Sequence, residues 1–143
     1  MITKRCFTKE LIALVVDTDF EYGIDSKVDI FVRSQMQRNT TKVKLWLSEI
    51  FIANLHNVTV MLGILRIIAC FDYTKIFPEG QTIALAALFH KNVEVQECSV
   101  RAFESWGTVE SLRVLEDLKV STHWLQEYID AVVSDLRKEH NKR

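Results

Sequence analysis

The sequence predicts an all-α protein, and three features of the chain indicate this. The 143 residues include only four Gly and one Pro, which are too few turn-forming residues for a chain of short β-strands. Residues 58–71 are apolar nearly throughout, yet the segment is shorter than the roughly 20 residues that a membrane-spanning helix needs. It is therefore expected to be a buried helix with other helices packed around it. Finally, the four residues Asn-Val-x-Val that span the start of this segment occur again 35 residues later, a spacing typical of helical repeats.

Composition and charge limit the function classes. A chain of this length suits one domain, and 48% hydrophobic with 26% charged residues is ordinary for a soluble globular protein. The formal net charge of −1 gives no overall attraction to nucleic acid or to an anionic membrane. No secretory signal peptide is recognised at the N-terminus, so we expect a cytoplasmic protein. The three cysteines, Cys6, Cys70 and Cys98, are then expected to be reduced core residues.

Four helices are predicted in the first half of the chain. They cover residues 8–17, 26–37, 41–55 and 58–71. The first is ambiguous, because its apolar run 11–16 also fits a buried strand, and we favour the helix. Ser26 followed by Asp29 is typical of a helix N-terminus. Residues 17–25 are expected to form a loop.

The second half of the chain is divided by residues that favour turns and helix ends. Helices are predicted over residues 81–90, 93–106, 108–119 and from residue 121 onward. Gly107 ends one helix and Thr108 begins the next. The last helix carries the cleanest amphipathic stripe in the chain. In total about seven helices are expected, with residues 8–17 left open between helix and strand.

Short motifs repeat within the chain. Asn57-Val58-Thr59-Val60 is echoed by Asn92-Val93-Glu94-Val95, and the same offset of 35 pairs Leu65-Arg66 with Val100-Arg101 and Phe71 with Trp106. A weaker copy lies 30 residues further on, where residues 95–98 match residues 125–128. Periods of this size with two helices per unit are typical of helical solenoids, in which each helix pair buries one face against the next.

Residues 92–118 resemble a HEAT repeat of the short bacterial type. The matching features are the Asn92 corner, Val95, the Val100-Arg101 pair with Ala102 after it, a Gly turn and a leucine-rich second helix. The resemblance implies a small right-handed stack of antiparallel helix pairs. It also implies protein binding, on a concave face lined by the second helix of each pair.

One domain over residues 1–143 is predicted from this pattern. It consists of a divergent N-terminal cap at 1–56, repeat units at 57–91 and 92–119, and a C-terminal capping helix at 120–143. Arg66 and Arg101 are expected to be structural: at the junctions between repeat units, each guanidinium would bind a carboxylate or an open carbonyl of the adjoining unit. Trp46, Trp106 and Trp124 are predicted to be core residues, although an exposed Trp124 would instead be an interface anchor.

An acidic segment is the main candidate for a functional surface. Residues 17–29 hold five carboxylates opposed only by Lys27, with Phe20 and Tyr22 among them. The simplest interpretation is a solvated loop. The alternative is a patch that docks a basic partner, where carboxylates steer its approach and aromatic rings add contact area. A second acidic set on the last helices is Glu110, Glu116, Asp117, Glu127 and Asp130. The predicted partner-binding residues are Asp17, Asp19, Glu21, Tyr22, Asp25, Asp29, Glu110, Arg113 and Asp117.

The chain carries no recognisable catalytic or metal-binding motif. Its four histidines are not joined to cysteines or carboxylates at metal-ligand spacing, and no nucleotide-binding loop or nucleophile elbow occurs. We therefore expect no enzyme activity, no cofactor and no metal. The alternative is a catalytic site built on Glu49 and His56 or around Cys98.

The concrete hypothesis for function is a bacterial immunity or antitoxin-type inhibitor. Such a protein would bind and neutralise a basic toxin such as a nuclease, without a membrane partner. One alternative is a subunit or adaptor of a larger assembly. The other is a nucleic-acid-binding protein that uses Arg33, Arg38, Lys42 and Lys44, although nucleic acid is not the partner that we expect.

Overall fold

The computed structural model describes residues 2–18 and 26–141, and the regular structure within these ranges is entirely helical. Nine helices follow one another there: α1 (Lys4–Asp17), α2 (Lys27–Arg38), α3 (Thr40–Ala53), α4 (Val58–Ala69), α5 (Tyr73–Ile76), α6 (Glu79–Leu88), α7 (Val93–Trp106), α8 (Val109–Glu116) and α9 (His123–His140). The all-α prediction is confirmed, and the segment left open between helix and strand is helix α1.

Polar side chains fix where most of the helices begin. Each of the following accepts a hydrogen bond from a backbone N–H in the first turn: Thr3, Ser26, Asn39, Asn57, Asn92 and Thr108. These bonds satisfy donors that a helix start leaves open. Asn57 and Asn92 open the two copies of the repeated motif, and they have the same structural role.

Helix α4 forms the centre of the hydrophobic core. Eight of its residues are buried, and it packs against α1, α2, α3, α6 and α7. Its one charged residue, Arg66, is exposed. The buried helix predicted over residues 58–71 is therefore confirmed, although it ends at Ala69.

The helices pack against one another in two series. In one series α1 packs on α4, α4 on α7 and α7 on α9; in the other, α2 packs on α3 and α3 on α6. Contacts between α1 and α2, α3 and α4, and α6 and α7 join the two series, and α8 packs on α7 and α9. From α3 onward, each pair of helices therefore packs against the pair before it.

Hydrogen bonds at both ends show that α4 and α7 run in the same direction. Before the two helices begin, His90 Nε2 lies 2.8 Å from the carbonyl oxygen of Leu55. Near their C-terminal ends, the indole N–H of Trp106 donates to the carbonyl of Ile68 at 3.2 Å. The sequence separations of these pairs, 35 and 38 residues, agree with the repeat offset of 35 found in the sequence.

A pair of glutamines shows a second correspondence, at the weaker offset of 30. The side chain of Gln96 donates to the carbonyl of Leu88 at 3.1 Å, where α6 ends. The side chain of Gln126 donates to the carbonyl of Leu118 at 3.3 Å, just after α8. Both glutamines are in the first turns of their helices, and both bind a carbonyl that a helix end leaves open.

Helices α1 and α4 approach each other closely at a glycine. A Cβ atom added to Gly63 would lie 2.4 Å from Cγ1 of Val15, far closer than two carbon atoms can pack. The missing side chain therefore sets how tightly α1 seats on α4.

The predicted number of helices was too low. Nine are present in the described ranges rather than about seven, and α5 has no counterpart among the predicted segments. Its four residues are too short to show a helical apolar pattern. Helix α6 also begins at Glu79, ahead of the predicted residue 81, with Pro78 as its N-cap residue. None of the described helices is long and apolar enough to cross a membrane.

Two predictions about the core were wrong. Cys6 and Cys70 are exposed, and Cys98 is the buried cysteine. Trp124 is 47% exposed, because the buried stripe of α9 begins at its neighbour Leu125 and leaves the indole on the outer side. By contrast, Trp46 is buried as predicted, and Trp106 packs partly buried against the core.

Candidate functional site

Helix α5 brings two aromatic rings together at the surface. Tyr73 and Phe77 are one helical turn apart, and their ring centroids are 5.4 Å apart. Tyr73 also contacts the Trp106 indole in an edge-on arrangement at 5.7 Å. Because Trp106 is hydrogen-bonded to the backbone of α4, the aromatic pair is held in place by α7 and, through it, by α4.

A groove lies beside this aromatic pair. It has a volume of about 520 Å³ and is lined by Tyr73, Thr74, Phe77, Gln81 and Glu110. We call it the α5 groove. Glu110 reaches it from the first turn of α8, which Thr108 fixes by accepting a hydrogen bond from the backbone of Ser111 at 3.0 Å. A groove of this size lies within the roughly 300–1,000 Å³ of ordinary ligand pockets.

The α5 groove is acidic. The hydroxyl of Tyr73 donates to Oε1 of Gln81. Burial raises the pKa of Tyr73, and the charge of the Glu110 carboxylate raises this pKa further. Within the part of the chain that the structure describes, the Glu110 carboxylate has no ion pair. The groove therefore offers aromatic surface together with a carboxylate whose charge is not compensated locally.

A smaller groove is lined in part by the segment that connects α4 to α5. Its volume is about 340 Å³, and it is lined by Arg33, Met36, Gln37, Thr40, Cys70, Phe71, Asp72 and Lys75. This groove is mixed in charge.

Of the cations considered for nucleic-acid binding, Lys44 donates to the carbonyl of Phe77 at 2.7 Å and lies 3.8 Å from the Glu79 carboxylate. Its charge is therefore already compensated within the fold.

Helices α3 and α6 pack against each other, and exposed large apolar side chains lie on α3 and at the ends of both helices. Leu45 and Ile52 are two turns apart on the same side of α3 and are 51% and 57% exposed. Phe89, at the end of α6, is 79% exposed. Its neighbour His90 is hydrogen-bonded to the backbone of Leu55, another exposed apolar residue. We call Leu45, Ile52, Leu55 and Phe89 the α3–α6 face.

Helix α6 adds no exposed charge to this face. Thr82 and Ala86, its exposed residues, are both uncharged, and its one charged residue, Glu79, is paired with Lys44. Apolar residues on a protein surface are normally scattered singly, whereas contiguous apolar patches mark interaction sites. The α3–α6 face therefore has the composition of a contact surface.

Charge is unevenly divided along the chain. Residues 26–91 carry eight Lys or Arg and four Asp or Glu, whereas residues 93–141 carry five Lys or Arg and ten Asp or Glu. The latter range contains α7, α8 and α9. The C-terminal helices are thus acidic, and Glu110 in the α5 groove belongs to this acidic part.

The acidic segment predicted from the sequence is described only at its ends. Asp19, Glu21, Tyr22 and Asp25 lie outside the described residues. Asp17 is the last residue of α1 and is exposed. Asp29 is 6% exposed, and its carboxylate accepts hydrogen bonds from the backbone N–H and the hydroxyl of Ser26. Asp29 thereby completes a capping box at the start of α2, which leaves it little surface for a partner.

The predicted residues of the second acidic region lie on and after α8. Glu110 and Arg113 are exposed and one helical turn apart, and Asp117 is exposed at the C-terminal end of α8. Of the three, Glu110 lines the α5 groove. The aromatic wall of the groove, Tyr73 and Phe77, was not found from the sequence. The available signal was the spacing of four between the two aromatics.

The described residues offer little for covalent or metal chemistry. No group of three or more His, Cys, Asp or Glu in these ranges is arranged to hold a metal ion. Burial raises the pKa of the Cys98 thiol, while the charge of Arg66 acts in the opposite direction. A buried thiol of this kind is a poor nucleophile. The absence of catalysis stays a prediction.

No family model matches the chain, and neither the curated proteins nor the solved structures give a match. Function must therefore be argued from the surfaces themselves.

Proposed function

We propose that this chain is a non-catalytic protein-binding module built as a HEAT-like stack of helix pairs. The parallel packing of α4 and α7 supports the stack, as do the equivalent hydrogen bonds of Gln96 and Gln126. In such a stack each unit is stabilised by its neighbours, and the outer faces remain available for partners.

The single observation that carries the binding role is the α3–α6 face. Covering the side chain of a large apolar residue such as Phe89 or Ile52 is worth about 1.5–3 kcal/mol relative to leaving it in water. A protein partner is favoured over a small ligand, because this face is a surface rather than an enclosed cavity.

The concrete form of the proposal is an immunity or antitoxin-type inhibitor of a basic toxin. It is supported by the excess of carboxylates in residues 93–141, since complementary charge speeds the encounter with a basic partner. The alternative of a subunit in a larger assembly uses the same face. Nucleic-acid binding is less well supported, because Lys44 is already bonded to Phe77 and Glu79.

The test begins with the tagged protein recovered from its native host. The partner that co-purifies is identified and purified, and its affinity is then measured by titration calorimetry. The double variant Ile52→Gln/Phe89→Gln is expected to bind at least about tenfold more weakly, because tenfold corresponds to only about 1.4 kcal/mol. Val16→Gln is the matched control, since Val16 is equally an exposed apolar residue but lies on α1.

Two results would contradict the proposal. Unchanged affinity of the folded double variant would exclude the α3–α6 face as the binding surface. Recovery of nucleic acid instead of a protein, with binding that weakens steeply as salt is raised, would favour the nucleic-acid alternative. An acidic rather than basic partner would remove the toxin-inhibitor form and leave the general binding role.

A further inference from the structure

We infer that the α5 groove binds an arginine side chain that the protein partner presents. The inference rests on the proposed function, because the partner supplies the side chain. The groove combines two aromatic rings, Tyr73 and Phe77, with the carboxylate of Glu110. A guanidinium is flat and carries N–H donors around its edge, so it can lie on a ring and bind a carboxylate at the same time.

The aromatic side of the groove suits a flat cation. The rings of Tyr73 and Phe77 are inclined by 46° to each other, so they form an angled wall rather than a closed stack. A cation within about 6 Å of a ring centroid is attracted by the electrons of the ring face. The protein already contains one such contact, in which the guanidinium carbon of Arg101 lies 5.6 Å from the centroid of the Tyr128 ring.

On the carboxylate side of the groove, Glu110 is not paired with a cation of the described part of the chain. The nearby ammonium group of Lys44 is directed to the carbonyl of Phe77 and to Glu79. Glu110 has no ion pair among the described residues, and its charge acts on Tyr73 in the groove. A partner's guanidinium would therefore meet a carboxylate that makes no ion pair among the described residues.

Arginine fits this site better than lysine or an acidic side chain does. The ammonium of lysine is compact and strongly hydrated, and it lacks the flat edge that binds a carboxylate through two parallel hydrogen bonds. A carboxylate from the partner would be repelled by Glu110. The acidic character of α7, α8 and α9 extends this preference, because it attracts basic segments toward the groove.

The test uses the full chain and three short capped peptides. The peptides are Ac-Gly-Arg-Gly-amide, the same peptide with citrulline, which keeps the shape of arginine without its charge, and the same peptide with lysine. Binding is followed by shifts of backbone amide signals in ¹⁵N-NMR titrations. The arginine peptide is expected to move signals of residues 73–81 and of Glu110, with weak affinity because a single side chain binds.

The variant Glu110→Gln removes the charge without changing the size of the side chain. Because glutamine keeps the side-chain oxygen but loses the charge that attracts the guanidinium, affinity for the arginine peptide should fall severalfold, up to about tenfold. Glu127→Gln is the matched control, because it removes the same charge from an exposed position on α9. A wild-type-like spectrum of each free variant verifies that it is folded.

Three outcomes would overturn the inference. They are equal binding of the citrulline peptide, equal loss of affinity in Glu127→Gln and Glu110→Gln, and a lysine peptide that binds as tightly as the arginine peptide. Failure of the proposed function is separate, because the Ile52→Gln/Phe89→Gln variant tests partner binding without changing the α5 groove. If arginine peptides leave the groove signals unmoved while that variant still loses its partner, the inference fails and the proposed function stands.

Discussion

His90 is hydrogen-bonded to the backbone of Leu55, with Nε2 of the ring 2.8 Å from the carbonyl oxygen. The other ring nitrogen, Nδ1, accepts the backbone N–H of Asn92 at 3.0 Å. One side chain therefore ties the turn before α7 to the turn before α4, a full repeat earlier in sequence.

Gln96→Ala should lower the free energy of unfolding by about 1 kcal/mol, the net worth of a typical hydrogen bond. Gln126→Ala should cost more, because the Gln126 side chain also accepts from the backbone N–H of Val120 and donates to Asp130. Each substitution leaves the carbonyl at the end of the preceding helix without its side-chain donor. Urea denaturation midpoints at constant slope measure both effects. Gln37→Ala, at an exposed position of α2, serves as the control and should change stability by less than about 0.5 kcal/mol. A large loss in one glutamine variant and none in the other would show that the two positions are not equivalent.

Gly63→Ala should destabilise the protein because the new Cβ would overlap Val15. Overpacking costs about 1–3 kcal/mol, and the better helix propensity of Ala returns about 1 kcal/mol, so we expect a net loss near 1 kcal/mol. In a Val15→Ala background the same substitution should become neutral or stabilising. Thermal or urea unfolding of the four proteins gives the coupling between the two sites. An equal cost of Gly63→Ala in both backgrounds would place the strain elsewhere.

Trp106→Ala should cost about 3 kcal/mol, the lower end of the range for large aromatic residues, because the indole is only partly buried. Trp106→Phe keeps most of the contact with Phe103 and Tyr73 but loses the hydrogen bond to Ile68. This milder variant should cost about 1 kcal/mol. Denaturation midpoints distinguish the two losses. A cost below about 1 kcal/mol for the alanine variant would contradict a packing role for the indole.

The three thiols should differ in reactivity. Cys6 and Cys70 are exposed and should react quickly with a thiol reagent such as DTNB, whereas Cys98 is buried and should react only as the protein opens. We expect two equivalents of thiol to react rapidly and a third equivalent to react slowly. The slow reaction should become faster in urea. The control is the variant Cys6→Ser/Cys70→Ser, in which the rapid reaction should be absent. Rapid reaction of all three thiols in the native protein would contradict the burial of Cys98.

The buried thiol also predicts how stability changes with alkaline pH. Burial raises the pKa of Cys98 above the ordinary thiol value of 9.0, so the unfolded chain loses this proton at a lower pH than the folded protein does. Stability contributed by the neutral thiol is therefore full below about pH 9 and is lost as pH rises toward the folded pKa. Unfolding midpoints measured from pH 8 to 10 should fall less steeply in Cys98→Ala. If the unfolding midpoints of the two proteins fall in parallel, the Cys98 thiol does not contribute to the loss of stability at alkaline pH.

The sequence predicted those elements whose apolar pattern is long enough to be read locally. The bounds of α7 agree with the predicted helix over residues 93–106, because Asn92 caps its start and Gly107 adopts a left-handed conformation at its end. Helix α5 could not be predicted in this way, since its four residues are positioned by contact with Trp106, a residue of another helix. Local patterns report amphipathicity, but they do not report which distant surface a short segment meets.

The candidate surfaces were less predictable than the helices. The α3–α6 face exists only because α3 and α6 pack side by side, which places Phe89 near Leu55. Asp29 was counted as part of an acidic patch, although its place three residues after Ser26 also fits a capping box, and the structure has it in that role. Charge counting cannot separate a carboxylate that caps a helix from one that faces a partner.

The central position of α4 has a consequence for how the protein is made. The last residue of α7 is synthesised 37 residues after the last residue of α4. At about 5–20 residues per second, the ribosome needs roughly 2–7 s to complete this stretch. During that interval the nascent chain exposes to solvent the flank of α4 that α7 later covers. A transcript truncated before α7 would therefore yield a chain with a permanently uncovered apolar helix, a substrate for chaperones and proteases rather than a smaller working protein.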